Sequence, residues 1–208
     1  MKALICVVLL ATAPLTGQDS FGGQKPPTPP PAAAPAPRPA APAGAVELDA
    51  QTGAERQDFG VAATPRLHAG AMHGPTPTSI PGGQVITTRG LVELLKGEQV
   101  RALVFDILGG QEMLPGATLA VPAAQAGSFT DRTQQEFGQF LQQMTQGNKE
   151  TPLVFYCLST HCWMSYNASL RAINMGYRNV LWYRGGIEAW KAAGQPTTPT
   201  SPSPRNQP

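Results

Sequence analysis

Short apolar runs alternate with helical patterns from residue 84 to residue 194, and this alternation constrains the fold more than any other feature. Residues 102–105, 153–156 and 180–183 are apolar without interruption, the first running into Asp106 and Ile107, and 84–87 and 118–121 hold shorter apolar stretches. Unbroken apolar runs of this length fit strands covered on both faces. Between them, Thr87 or Thr88 can cap a helix carrying Leu91, Val92, Leu94 and Leu95, with Gly97 as its stop. Phe137, Phe140, Leu141 and Met144 recur at helical spacing, with Asp131 or Thr133 as the start and Gly147 as the stop. A third helix is expected over 163–175, ended by Gly176, and Gly185-Gly186 leads into a short fourth with Ile187 and Trp190. The class implied is α/β, a central parallel sheet flanked by helices. Such sheets bind ligands beyond the carboxyl ends of their strands.

The remaining sequence divides around this block. Fourteen of the 22 prolines lie in two tracts, 26–42 and 196–208. Proline lacks a backbone donor and fixes φ, so neither tract suits a helix or a central strand. About 110–150 residues remain for one ordinary domain. Residues 1–17 read as a secretory signal peptide: Lys2, an apolar stretch over 3–10, then small residues at Ala11, Ala13 and Gly17. The stretch is too short to span a bilayer, so no membrane insertion is expected after cleavage. Residues 18–45 read as a Pro/Ala-rich unstructured spacer, 46–83 as an irregular extension, 84–194 as the domain, and 195–208 as an unstructured tail. His68 and His73 of the extension are taken as structural. The expected location is periplasmic or secreted. A net charge of +2, with 13% charged residues, offers no basic stripe for nucleic acid.

Export sharpens the cysteine count. Cys6 leaves with the leader, so Cys157 and Cys162 alone remain. In an oxidising compartment they are either a disulfide or a redox-active pair. Cys157 ends a predicted strand, and the loop Leu158, Ser159, Thr160 and His161 leads to Cys162 and Trp163 at a helix start. Loop amides and the helix N-terminus are positioned to converge on the sulfur and favour its thiolate. Asp106, at the end of a neighbouring strand, is a candidate site neighbour. Trp163, Trp182 and Trp190 are read as core residues, Trp163 also as a wall of the sulfur site. Cys157, His161, Cys162 and Met164 form a soft donor set suited to Cu(I). Met164 falls on a core-facing helical position, however, and no metal or cofactor is assigned. Asn167-Ala168-Ser169 is a formal glycosylation sequon inside a predicted helix and is discounted.

The run TPLVFYCLSTHCWMSYNASLRAINMGYRNVLWYRGGIEAW resembles the second half of a rhodanese-like domain, with its strand-borne Cys, loop and Gly-Tyr-x-x-Val…Gly-Gly-x-x-x-Trp ending. LVFDI resembles the acid-bearing strand of that family. MLPGATLAVP resembles its His-Ile-Pro-Gly-Ala segment, with Met113 in place of His. More narrowly, YC…CWMSYNA…RA…GY is similar to the exported PQQ-dependent catabolism-associated C-x-x-C-W motif proteins, although four residues, not two, separate Cys157 and Cys162. The resemblance implies sulfur transfer, with Cys157 as nucleophile and a persulfide as intermediate. Cys162 stands where a typical rhodanese loop ends in Arg, which implies a resolving thiol and weak recognition of dianions such as thiosulfate. Phosphatases with a Cys-x5-Arg loop need Arg where Trp163 stands. The partners implied are a small sulfur-containing donor or a protein thiol, and a periplasmic PQQ-dependent dehydrogenase system. Two alternatives stay open: a catalytically inactive interaction module with a structural Cys157–Cys162 disulfide, and a soft-metal binder.

Overall fold

The computed structural model describes residues 53–97 and 101–200. The signal peptide, the Pro/Ala spacer and residues 201–208 of the tail lie outside the described residues. From Gln84 onward the elements are β1 (Gln84–Ile86), α1 (Thr88–Lys96), β2 (Leu103–Asp106), β3 (Glu112–Met113) and β4 (Thr118–Leu119). After a 3-10 turn at Val121–Ala124 come α2 (Arg132–Thr145), β5 (Leu153–Tyr156), α3 (Met164–Asn174), β6 (Val180–Tyr183), α4 (Gly186–Ala192) and β7 (Thr198–Pro199). Five strands form one parallel sheet in the order β1-β6-β5-β2-β4. The expected α/β architecture, a central parallel sheet flanked by helices, is present.

The central strand β5 is buried along its whole length. Its side chains alternate between two cores, as the period of two in a strand requires. Phe155 packs with Phe105, Phe137 and Leu141 on one face. Val154 and Tyr156 pack with Leu91, Tyr183 and Trp190 on the other. The Phe105 and Phe155 rings lie 5.2 Å apart. Burial of each such side chain contributes about 1.5–3 kcal/mol, so the sheet holds the carboxyl end of β5 as a fixed point. Among the described residues no helix is long and apolar enough to cross a membrane.

The helices start where the sequence places caps. Thr87 Oγ1 accepts from the Gly90 amide, and Asp131 Oδ1 from the Gln134 amide at 2.7 Å. Gly97 ends α1 in extended rather than left-handed backbone. On α2 the buried face is rotated from the expected one. Phe137 and Leu141 are buried with Gln134 and Thr145, whereas Met144 is exposed. The cause is Arg171 of α3, which is fully buried and makes bonds of 2.9 Å to both Asp131 oxygens and 3.1 Å to Gln134 Oε1. A buried guanidinium needs such partners, and α2 turns to supply them.

Part of the stretch expected to be an unstructured tail is ordered. Thr198 and Pro199 form β7 and pair antiparallel with β3. Trp190 Nε1 donates to the Pro196 carbonyl at 2.7 Å, and the Thr200 amide to the Gln111 carbonyl at 2.8 Å. Proline richness hid this strand, since an edge position tolerates a residue that cannot donate.

Candidate active site

Cys157 follows β5 directly, and its sulfur lies at disulfide distance from that of Cys162, with Cα atoms 6.3 Å apart. That separation is ordinary for a disulfide. The loop between them is held from below by α4. The Ile187 and Glu188 amides donate to the Cys157 and Leu158 carbonyls, both at 3.0 Å. Gly186 permits this approach: its φ is +64°, and a Cβ there would lie 2.5 Å from the Cys157 oxygen. The loop is also closed internally, because the Cys162 amide donates to the Ser159 carbonyl at 3.1 Å.

The extension covers the other side of the loop. The Trp163 amide donates to the Met72 carbonyl (2.9 Å), the Gly74 amide to the His161 carbonyl (2.8 Å) and the Thr76 amide to the Thr160 carbonyl (3.2 Å). His73 thereby forms an antiparallel bridge with Cys162. Cys157 and Cys162 retain only 1% and 0% of their surface in contact with solvent. The loop amides of Cys162 and Trp163 are thus committed to carbonyls rather than aimed at the Cys157 sulfur. The polar side chain that does reach this sulfur is Ser165, whose Oγ is 3.1 Å away.

The other predicted site residues have distinct surroundings. Leu158 packs against both cores. His161 is exposed, with Nδ1 3.2 Å from Thr160 Oγ1 and its ring against Phe59 at 4.6 Å. Trp163 is buried and stacks on His68 at 4.2 Å, which gives that histidine the structural role expected of it. Asp106 is buried and organises the exit of β2. Its Oδ1 accepts from the Leu108 and Gly109 amides, and its Oδ2 from the Tyr156 hydroxyl at 2.7 Å. Burial and Asp106 hold Tyr156 well above the usual phenol range, so its hydroxyl stays a donor. A cavity of about 240 Å³, lined by Phe59, Ser159, Thr160, His161 and Glu188, opens beside the loop. No group of three or more His, Cys, Asp or Glu side chains that could hold a metal ion occurs among the described residues.

Several residues that build the site were not assigned to it by sequence: Ser165, Arg184 and Glu55, together with Asn167, noted there only for its sequon, and Trp182, noted only as a core residue. Asn167 is fully buried on α3, where it accepts from the His68 amide and donates to the His68 and Ala124 carbonyls. It is no glycan acceptor in the folded chain. Arg184 donates to the Glu55 and Thr76 carbonyls and to Thr76 Oγ1. Glu55 accepts from the Thr88 amide and hydroxyl at the start of α1, and burial raises its pKa above the ordinary value. One signal was available. The segment MSYNASLRA has no solvated face of charges, so its helix is buried all round, and its Ser165, Asn167 and Arg171 then require internal partners.

Residues 93–193 match the family model of the rhodanese-like domain. The chain carries a rhodanese-like domain. No curated protein matches the sequence. Among solved structures, the rhodanese-like domain is similar to a thiosulfate sulfurtransferase from Pseudomonas aeruginosa, with 20% identity and a TM-score of 0.42. That alignment covers 56% of this chain and 20% of the other, so the chain spans about a fifth of the enzyme's length. A rhodanese-like domain from Anabaena sp. is 16% identical, with 59% and 86% covered and a TM-score of 0.40. An anaerobic ergothioneine biosynthesis enzyme from Chlorobium limicola, in complex with trimethyl histidine, is 20% identical, with 62% and 35% covered and a TM-score of 0.44.

Proposed function

We propose that this is an exported sulfurtransferase or thiol-redox accessory protein that serves PQQ-dependent periplasmic oxidation. The observation that carries the reading is the Cys157–Cys162 pair, at disulfide distance beyond the carboxyl end of the central strand. In the reduced protein, the Cys157 thiolate attacks the sulfane sulfur of a donor R–S–SH. A bond forms between the Cys157 sulfur and the outer sulfur, and RS⁻ leaves with the old bonding pair. Cys162 thiolate then attacks the Cys157 sulfur of the persulfide and expels hydrosulfide, which leaves the Cys157–Cys162 disulfide. A donor sulfur has been reduced and two protein thiols oxidised, and an external thiol restores them. The residues between the two cysteines include no Arg or Lys, so a persulfide or polysulfide donor suits the site better than the thiosulfate dianion.

The burial of both sulfurs supports a second reading, a static disulfide in an interaction module. Mass spectrometry of the mature protein, after a sulfane donor and with and without mild reductant, separates the two. The first expects a persulfide on Cys157 that disappears in Cys157→Ser and persists in Cys162→Ser. A pair that stays oxidised under mild reductant and never takes up sulfur sinks it.

A further inference from the structure

We infer that Ser165 is the hydrogen-bond donor that polarises the cysteine pair, making Cys157 the leaving sulfur and Cys162 the sulfur that an incoming thiol attacks. The inference rests on the cycling of the pair proposed above. Ser165 Oγ lies 3.1 Å from the Cys157 sulfur and 3.0 Å from Trp182 Nε1. An indole N–H can only donate, so the Ser165 oxygen is its acceptor. In the disulfide neither sulfur carries a proton, so the Ser165 hydroxyl is the donor of its contact with Cys157. Ser165 is 1% exposed and Trp182 fully buried, so bulk water does not compete for either bond. Trp182 is the positioning residue of this relay, and its place is fixed by β6.

The opposing contact sharpens the argument. The Cys162 carbonyl lies 3.3 Å from the same sulfur and favours a protonated Cys157 thiol. With Ser165 present, a donor offsets that acceptor. Without it, the carbonyl acts alone. Hydrogen bonds to a charged group are stronger than neutral ones, so the Ser165 contribution is largest in the state where Cys157 carries the charge.

The step is disulfide reduction by a low-molecular-weight thiol. Its thiolate attacks the Cys162 sulfur, the bond between the protein sulfurs breaks, and a new bond joins the external sulfur to Cys162. The bonding pair leaves on Cys157, where the Ser165 hydroxyl stabilises it. A second external thiolate attacks the external sulfur of the mixed disulfide and frees Cys162. Two external thiols are oxidised to their disulfide, and both cysteines are reduced.

The test uses the full chain in a Cys6→Ser background, which leaves Cys157 and Cys162 as its cysteines. Partial reduction with glutathione, acid quench and peptide mapping locate the trapped mixed disulfide. The expected result is glutathione on Cys162, with Cys157 free, in large excess over the reverse. Equal trapping or trapping on Cys157 overturns the proposal without any further variant. Ser165→Ala is expected to even out the ratio and, with Cys162→Ser added, to slow Cys157 alkylation at pH 7 by about tenfold. Ser165→Thr restores both, a rescue that a purely structural role does not predict. Unchanged ratio and rate in Ser165→Ala also overturn it. Absence of persulfide on the unsubstituted chain removes sulfur transfer alone, because the trapping ratio is read without a sulfane donor.

Discussion

The loop that carries Cys157 and Cys162 is held on one side by the sheet and on the other by residues 53–83, and the two holds differ in their balance of apolar packing and hydrogen bonding. On the sheet side, β5 sits between two apolar cores and α4 docks its first amides on the loop. On the extension side, Val61, Leu67, Met72 and Ile80 pack with Trp163, Tyr166 and Trp182, and many hydrogen bonds add to this smaller cluster: the backbone bonds to the loop, the Tyr166 hydroxyl on the Thr64 carbonyl and amide, Asn167 on His68, and Arg184 on Thr76. A hydrophobic core is a collective arrangement that is lost as a unit. Individual hydrogen bonds contribute about 1 kcal/mol each and open separately. Fewer of the extension's apolar residues are fully buried than in β5, so the extension is expected to open before the sheet.

The comparison can be broken at its strongest point first. Phe155→Ala is expected to lower global stability by about 3–5 kcal/mol in urea denaturation. If it loosened only the loop, the sheet would not be the anchor described here.

A polar anchor inside the domain gives the next effect. Asp131→Asn is expected to cost about 2–3 kcal/mol, because it leaves Arg171 buried with one strong partner fewer. The loss falls short of that for a fully buried pair, since 27% of the Asp131 side chain is exposed. The Arg171 guanidinium holds the Asp131 carboxyl well below its ordinary value of 3.8. Its contribution is thus present above that value and lost as pH falls below it, so Asp131→Asn should also flatten the acid limb of the stability–pH curve. Glu55, which ties the extension to α1, has the opposite sign. Burial raises it above 4.5, and its contribution is full below that value and declines as pH rises through the raised one. Acid loosens the domain at Asp131 and tightens the extension at Glu55.

The smallest change discriminates most finely. Tyr166→Phe removes one hydroxyl and should cost about 1 kcal/mol, felt at the extension. Hydrogen exchange is expected to speed up at the Thr64 amide while the β5 amides keep their protection. Equal acceleration at both would mean that extension and sheet open together.

This difference in balance also bears on what could be read from the sequence. The five strands, the strand-borne Cys157 and, to within two candidates each, the caps Thr87 and Asp131 were legible, because apolar periodicity and capping chemistry are local signals. The extension has no such periodicity. Its order comes from side chains about a hundred positions away, as with Tyr166 and Thr64. Ser165 was hidden for a related reason. Its role depends on Trp182 and Cys157 meeting across the sheet-to-helix packing, and no spacing along the chain encodes that meeting. The short β7 strand was obscured by composition, since its two residues sit in a proline-rich stretch whose edge pairing leaves no pattern.

The antiparallel bridge between His73 and Cys162 bears on whatever reaches these sulfurs from outside. A segment joined to the domain by its own chain confronts the loop at an effective concentration on the order of millimolar. A free polypeptide seeking the same backbone groups would have to outcompete it at cellular concentrations far lower than that. Small thiols face no such rival for hydrogen bonds and need only a transient gap. The bridge is thus expected to disfavour reagents that need the strand's place more than small thiols that do not.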